Sequence, residues 1–211
     1  MPRQARVAIG DTVYHVLNRG NGRQTIFHHE QDYLDFEALL IEAKELIGMR
    51  ILAYTLMQNH FHLVLYPHHD GDLSEFMRWL TTTHVRKYRV ATKSIGHGHL
   101  YQGAYKSFPI EADQHLTTVI RYVEQNPLRT KLVKRAEDWK WGSLHRRVSG
   151  TPKERKLLSA LPTKLPVQYL DSVNTIYNDD MLTTLRTSVQ KGVPYGDERW
   201  MARFTRKNIT P

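Results

Sequence analysis

Apolar residues recur in two patterns along the N-terminal part of the chain, one typical of strands and one of helices. Residues 12–18 are rich in β-branched and aromatic side chains, and Arg19-Gly20-Asn21-Gly22 follows them, which predicts a strand and a turn. Residues 32–47 carry apolar side chains at helical spacing, and the glycine at position 48 is typical of a helix end.

A tight hairpin is predicted next. Residues 51–57 and 60–66 both resemble strands, and only Gln58 and Asn59 separate them. A two-residue polar link between apolar runs favours antiparallel pairing of the runs it joins.

Three further elements complete this part of the chain. A helix is predicted at residues 72–89, with Asp72 and Glu75 as a capping box, and a strand at residues 100–110. A last helix is capped by Asp113 and ends near Asn126, because Pro127 follows. The order is strand, helix, strand, strand, helix, strand, helix. It predicts an α+β fold in which helices pack on an antiparallel sheet, in a ferredoxin-like or RRM-like plan.

A boundary is predicted at Ser149-Gly150-Thr151-Pro152. Residues 1–150 would then form the main domain, and residues 151–211 a short helical, basic extension, an accessory piece rather than an independent domain. Its helical patterns lie at about 167–173 and 178–190.

Composition narrows the class of protein. Lys and Arg number 30 against 21 Asp and Glu, a net charge of +9 that favours a polyanionic partner such as nucleic acid, although a basic soluble protein without such a partner fits the charge equally well. The chain has no cysteine, which excludes disulfides and thiolate metal sites. No apolar run reaches the roughly 20 residues of a membrane span, and no signal peptide is evident, so we expect a cytoplasmic protein without a membrane partner.

A histidine pair is the first candidate site. His60 and His62 are two apart in a predicted strand, so both imidazoles face the same way and could chelate one divalent ion. His-x-His pairs also arise by chance in a histidine-rich chain. A second pair, His97 and His99, lies in a glycine loop, and we interpret it as a solvated or DNA-touching loop.

A tyrosine and an amide form the second candidate. Tyr122 and Asn126 are i and i+4 on a predicted helix and therefore lie on one face, and His115 falls on the same flank. Taken alone, this spacing fits a half-buried packing tyrosine equally well.

The two sites together resemble a known family. Residues 57–63, Met-Gln-Asn-His-Phe-His-Leu, are similar to the His-hydrophobic-His strand of the single-tyrosine HUH transposases, and residues 122–129 to their nucleophile helix. The chain most resembles the REP-associated tyrosine transposases within that superfamily. The likeness extends over nearly the whole chain through residues 14–16 with 19–20, 102–103 with 106–107, 137–141 and 194–196.

The resemblance implies an HUH nuclease plan and a role for each site residue. Tyr122 would be the nucleophile, forming a 5′-phosphotyrosine and a free 3′-hydroxyl in hairpin-forming single-stranded DNA. His60, His62 and Asn126 would ligate Mg²⁺ or Mn²⁺. The chain departs from the usual family pattern at Tyr101, Ala104 and Gly142, which puts the recognised DNA sequence in doubt rather than the activity.

Basic residues supply the candidate DNA contacts. The segment with Arg86, Lys87, Arg89 and Lys93 is interleaved with Tyr88 and could follow a DNA backbone, although a solvated helix end explains it equally well. The resemblance adds Arg19 and Lys106. No nucleotide cofactor is expected, and a monomer is favoured over a dimer.

Two other functions remain open. One is a hairpin-binding regulator on the same fold without catalysis, and the other is an RRM-like RNA-binding module. An RNA-binding module would display aromatic residues on its central strands, where this chain has His60 and His62.

Overall fold

An antiparallel sheet of four strands forms the centre of the molecule. The structure is a computed structural model that describes residues 8–96, 98–176 and 179–209, with the side chains of 179–181 and 206–209 left aside. The strand order is β2-β3-β1-β4, as in a ferredoxin-like β-α-β-β-α-β arrangement. The predicted fold class is therefore confirmed. The strands are β1 (Val13–Arg19), β2 (Arg50–Met57), β3 (His60–Tyr66) and β4 (Lys106–Ile110).

Each face of this sheet is covered by helices. Helices α1 (Glu30–Ile47) and α2 (Asp72–Ala91) pack on the face that carries Phe61, Leu63 and Leu65. Helix α3 (Gln114–Glu124) packs on the opposite face against residues such as Val64. Because side chains alternate along a strand, the even-numbered positions of β3, which include both histidines of the predicted site, face α3.

Several predicted helix ends are confirmed and one is wrong. Gly48 adopts the left-handed conformation that ends α1, with φ of 72°, and the Asp113 side chain caps α3 by accepting from the backbone N–H of His115. Asp72 and Glu75 do not form a capping box. Gly71 is the N-cap of α2, and the Asp72 carboxylate accepts from the backbone N–H of His69 instead.

The strand predicted at residues 100–110 is shorter in the structure. Residues 100–105 form a loop joined to the end of β1 by a single bridge between Gly20 and Tyr101, and β4 starts only at Lys106. Helix α3 ends at Glu124, and Pro127 lies in the first turn of a separate short helix, α4 (Asn126–Arg129).

Both edges of the sheet are covered by later parts of the chain. Along β2, Leu56 donates its N–H to the carbonyl of Trp141, and the indole of Trp139 donates to the carbonyl of Leu56. Along β4, Tyr195 donates to the carbonyl of Pro109 and accepts from the N–H of Glu111. Unpaired edge strands invite association with other chains, and these contacts satisfy part of each edge.

The C-terminal segment packs on the same core as α3. Tyr169, Val173, Leu182, Leu185 and Tyr195 are buried in the cluster that also holds Val119 and Val123. Within the part of the chain that is described, no helix has both the length and the apolar character needed to cross a bilayer. The remaining helices are α5 (Ser143–Ser149), α6 (Pro152–Arg155), α7 (Tyr169–Asn174), α8 (Asp179–Lys191) and α9 (Glu198–Ile209).

Candidate active site on the sheet face below α3

The two histidines of β3 lie side by side between the sheet and α3. Their ring centroids are 5.1 Å apart, and His60 and His62 are 9% and 3% exposed. Desolvation lowers the pKa of His60 to about 4 and the pKa of His62 well below its usual value, and the charge of Arg19 acts in the same direction on both. Both imidazoles are therefore neutral at pH 7, the form that can ligate a metal ion.

The tyrosine of α3 is close to this pair. The ring centroid of Tyr122 is 5.9 Å from that of His62 in an edge-to-face arrangement, and Tyr122 is 7% exposed. Helix α3 is held against β2 by the Thr55 hydroxyl, which donates to the carbonyl of Val123 over 2.8 Å. The fold thus brings together residues separated by 60 positions in sequence.

The amide of Asn126 is oriented by the helix that precedes it. Its nitrogen donates to the carbonyl of Tyr122 over 2.9 Å, one turn earlier. Only the NH₂ group of an amide can donate, so this bond identifies the nitrogen. The amide oxygen is then the atom that Asn126 can offer to a cation.

A turn residue fixes the orientation of His60. The Asn59 side-chain oxygen lies 2.7 Å from His60 Nδ1, and the Asn59 amide nitrogen donates to the carbonyl of Arg23. Because that oxygen can only accept, Nδ1 of His60 carries the hydrogen and Nε2 keeps its lone pair. Sequence reasoning treated Asn59 only as a turn residue.

A third buried histidine touches the pair and was not predicted. His15 Nε2 lies 2.8 Å from His62 Nδ1, and the His15 ring packs on Phe108 with centroids 4.9 Å apart. Desolvation lowers the pKa of His15 to about 3. The available sequence signal was its position in a strand, two residues from Val13 and Leu17 and hence on their face.

An arginine that the sequence analysis did not single out stacks on the tyrosine. The guanidinium carbon of Arg129, on α4, lies 4.9 Å from the ring centroid of Tyr122. A second cation, Arg19, is paired in register with His60 across β1 and β3. Two positive side chains thus adjoin the histidine–tyrosine group, and this charge suits an anionic ligand.

Two of the predicted DNA contacts line one groove. A cavity of about 330 Å³ is bounded by Arg19 and Lys106 together with Leu17, Asn18, Gln102, Gly103 and Ala104. Lys106 is paired with Leu17, which is paired in turn with His62, so the groove begins beside the histidines.

The basic segment of α2 lies elsewhere. Helix α2 covers the sheet face opposite His60 and His62, so Arg86, Lys87 and Lys93 are not grouped with them. Arg89 donates to the carbonyls of Ser94 and Gly98 and so stabilises the loop after α2. Their role in DNA binding stays a prediction. His99 is exposed, and His97 lies outside the described residues.

His115 is not part of this group, although it was expected on the same flank as Tyr122. Its Nδ1 lies 2.9 Å from the Asp113 carboxylate, and its ring packs edge-to-face on Tyr195. Ligand atoms of Glu111, Asp113 and His115 lie within 4.8 Å of one another and could hold a metal ion. Both carboxylates already accept backbone N–H groups, from Asp197 and from His115 itself, so we interpret this cluster as a helix cap and an anchor for the tail.

The donor set that the family resemblance implies, His60, His62 and Asn126, suits a divalent ion of moderate hardness. Two imidazole nitrogens and one amide oxygen are all neutral, and Mg²⁺ prefers anionic oxygen, whereas Mn²⁺ tolerates imidazole well. The chemistry of these three donors therefore fits such an ion.

The sequence model of IS200-like transposases matches residues 8–126, more than half of the chain. The chain belongs to this transposase family.

The solved structures that are similar to the chain include two whose descriptions refer to transposases. One is described as a REP-associated tyrosine transposase bound to a REP hairpin. It shares 18% identity over 84% of this chain and 94% of its own, with a TM-score of 0.57. The other, a putative transposase from Deinococcus radiodurans, also shares 18% identity over 59% of this chain and 96% of its own, with a TM-score of 0.41. No curated protein sequence matches the chain. The first likeness shows the fold.

Proposed function

We propose that this transposase cuts and rejoins single-stranded DNA through a covalent bond to Tyr122, with a divalent cation held by His60, His62 and Asn126. The observation that carries the proposal is a short distance: the Tyr122 ring lies 5.9 Å from the ring of His62. His62 and His60 together form a pair of buried, neutral imidazoles. A packing tyrosine needs no such neighbours, and no ordinary core gains stability from burying polar histidines beside arginines.

The reaction forms one phosphorus–oxygen bond and breaks another. The phenolic oxygen of Tyr122 attacks the scissile phosphorus, the bond to the 3′-oxygen breaks, and the DNA keeps a 5′-phosphotyrosine link to the protein. The phenol proton passes to solvent, and the leaving 3′-oxygen takes up a proton. Rejoining reverses these steps with a 3′-hydroxyl as the nucleophile, so no nucleotide cofactor is consumed.

Each neighbour of Tyr122 has a part in this reaction. His60 and His62 would hold a divalent ion with their nitrogen lone pairs and Asn126 with its amide oxygen, and such an ion would supply Lewis acidity toward the phosphate. Arg129 and Arg19 add positive charge, which orients the phosphate for in-line attack. Burial of the histidines keeps water from competing for the same lone pairs.

The substrate we propose is a DNA hairpin with a short single-stranded foot. The groove bounded by Arg19 and Lys106 starts beside the site and can take the unpaired strand, whose bases are exposed only outside a duplex. A net charge of +9 favours such a polyanion. One similar structure holds a REP hairpin, according to its description. Proteins of this activity act where the cell's DNA is, which for a prokaryote is the cytoplasm.

Residues 151–211 would serve as an accessory to a main domain of residues 1–150, and the protein would act as a monomer. Within one chain, α7 accepts hydrogen bonds from the end of α3, through Gln125 to the carbonyls of Val173 and Thr175. This anchoring supports a tyrosine helix that serves its own subunit, and a dimer is the alternative.

A denaturing gel tests the proposed activity. The protein is incubated with labelled single-stranded hairpin DNA and Mn²⁺, and a band that carries both protein and label is expected. Tyr122→Phe and His60→Ala should each abolish it, whereas Tyr66→Phe, a tyrosine at the far end of β3, should leave it unchanged. A band that survives Tyr122→Phe contradicts the proposal.

The second candidate function is a hairpin-binding regulator without catalysis. Tight binding of hairpin DNA by the wild-type protein with no covalent band under any metal condition would favour it. The buried polar group around His62 argues against it, because a binding protein gains nothing from that arrangement.

A further inference from the structure

The hydrogen bond between His15 and His62 has two possible senses, and only one leaves His62 able to hold a metal ion. The bond joins His15 Nε2 to His62 Nδ1 over 2.8 Å, so a single hydrogen lies between the two nitrogens. If His62 donates, its Nε2 has a free lone pair. If His15 donates, the hydrogen of His62 is on Nε2 and that nitrogen cannot ligate.

The other nitrogen of His62 offers no alternative. Nδ1 is already in contact with His15, which leaves no room there for an ion at about 2 Å from nitrogen. Ligation by His62 therefore has to use Nε2. The same is true of His60, whose Nδ1 is bonded to the Asn59 oxygen.

The two ligands differ in what orients them. The Asn59 oxygen can only accept, so it fixes the tautomer of His60 without ambiguity. His15 is a histidine and can either donate or accept at Nε2. It is 1% exposed and packs on Phe108, so water does not settle the choice.

We propose that His15 is a positioning residue for the cation site: by accepting at Nε2 it holds His62 in the Nδ1–H tautomer and presents His62 Nε2 to the metal ion. This rests on the proposed function, which makes His62 a ligand. Partners of ligating histidines commonly change metal affinity by about 10- to 100-fold when they are replaced.

Two substitutions at His15 separate its role as a hydrogen-bond acceptor from its packing against Phe108. His15→Phe keeps a ring against Phe108 but cannot accept a hydrogen bond, and His15→Gln restores an oxygen that can. His84→Phe is the matched control, because His84 is also buried and bonded to another side chain, Tyr101, but lies on the opposite face of the sheet.

Long-range ¹H–¹⁵N spectra of the imidazoles in the metal-free protein identify the tautomer of His62. Electron paramagnetic resonance of free Mn²⁺ measures the affinity of the protein for Mn²⁺. The wild type should show His62 protonated at Nδ1. His15→Phe should lose that state and bind Mn²⁺ about 10- to 100-fold more weakly, whereas His15→Gln should recover most of the affinity and His84→Phe should bind as the wild type does.

The possible failures are distinguishable. His62 protonated at Nε2 in the wild type overturns the inference, and so does undiminished Mn²⁺ binding by His15→Phe when His60→Ala has lost it. Equal binding by the wild type and His60→Ala overturns the proposed ligands together with the inference. If His15→Phe does not fold, the tautomer of His62 in the wild type and the Mn²⁺ affinity of His15→Gln still test the inference.

Discussion

Arg129, His62 and His15 all lie against the ring of Tyr122. The guanidinium of Arg129 lies over the Tyr122 ring at 4.9 Å. A flat cation in this position both orients the ring and places positive charge beside the side chain that would bear the phosphate.

We expect Arg129→Ala to slow formation of the covalent adduct by about 10- to 100-fold, because a group that stabilises charge in the transition state is lost. Arg129→Lys should recover part of the rate, since it keeps the charge but not the planar fork. The measurement is a single-turnover time course, with Arg155→Ala at an exposed position as the control. An Arg129→Ala rate equal to that of the wild type would refute this role.

His84 gives the stability of the protein a pH dependence on the acid side. Desolvation lowers the pKa of His84 to about 4, and the nearby charge of Asp32 opposes this only in part. The unfolded chain takes up a proton at this residue below about pH 6.5 and the folded protein does not until about pH 4. The stabilisation due to neutral His84 is therefore complete above pH 6.5 and is lost as the pH falls through that window.

Urea unfolding of wild type and His84→Phe at pH 7.5 and pH 4.5 checks this. The variant should lose less free energy of unfolding between the two pH values, by up to about 3 kcal/mol, because phenylalanine cannot be protonated. Equal losses in the two proteins would show that His84 titrates normally when folded.

The sequence predicted the positions of His60, His62 and Tyr122 but not their partners. Alternation along a strand is a local property, so it places both histidines on one face from sequence alone. The contacts of Asn59, His15 and Arg129 depend on strand register and on which rotamers the packed core allows, and neither can be obtained from spacing. The roles of the predicted site residues stay predictions.

Helix α3 is anchored by a buried carboxylate just after Tyr122. Glu124 is 2% exposed, accepts from the hydroxyls of Ser143 and Tyr169 at 2.5 and 2.7 Å, and forms an ion pair with Arg147. These partners come from α5 and α7, so one side chain joins three helices.

Glu124→Gln should lower the free energy of unfolding by about 2 kcal/mol, because the charge of Arg147 loses its partner in a largely buried setting. This is less than the roughly 3–5 kcal/mol typical of a broken buried ion pair, because the Arg147 side chain is 21% exposed. Equilibrium unfolding in urea measures the change, and Glu42→Gln at an exposed position of α1 is the control. A loss no larger than that of the control would mean that Glu124 is not an anchor.

The elements that the sequence predicted best are those with long periodic patterns. The hairpin and the helices α1, α2 and α3 match their predicted spans to within a few residues. The strand predicted from residue 100 was too long because Leu100 and Tyr101 are buried by contacts with α2 and β1 rather than by extended pairing. The short helices α5 and α6 were missed because fewer than two turns give too little periodicity to detect.

The tail beyond residue 191 contributes to the whole molecule by pairing with β4. Backbone hydrogen bonds of Tyr195 with Pro109 and Glu111 extend the sheet at this edge, and the Tyr195 side chain is buried. Removal of residues 192–211 should therefore destabilise the protein by roughly 2–4 kcal/mol and promote self-association through the exposed edge.

A shorter truncation that removes only residues 198–211 is the control, because it keeps the Tyr195 pairing. Light scattering and urea unfolding compare the two proteins. If both truncations behave alike, the edge contact has no protective role.

The local pattern of apolar and polar residues did not predict all of the contacts between elements of the molecule. The order of elements was sufficient for the ferredoxin-like sheet, since few topologies connect them without crossing. The covering of both sheet edges by Trp139, Trp141 and Tyr195 depends on contacts between distant parts of the chain. Residues 151–211 were expected to be an accessory piece. Several of their apolar side chains are buried in the same hydrophobic cluster as those of α3.

The identity of the residue that carries DNA decides the central claim. Trypsin cleaves after Arg121 and Arg129, so Tyr122 lies in a peptide of residues 122–129, and no other tyrosine occurs even in residues 107–129. The covalent adduct is digested with nuclease and trypsin, and the peptides are sequenced by mass spectrometry. We predict a nucleotide 5′-phosphate on Tyr122. A nucleotide on any other residue, or a peptide 122–129 that is always unmodified while an adduct is present, would contradict the account.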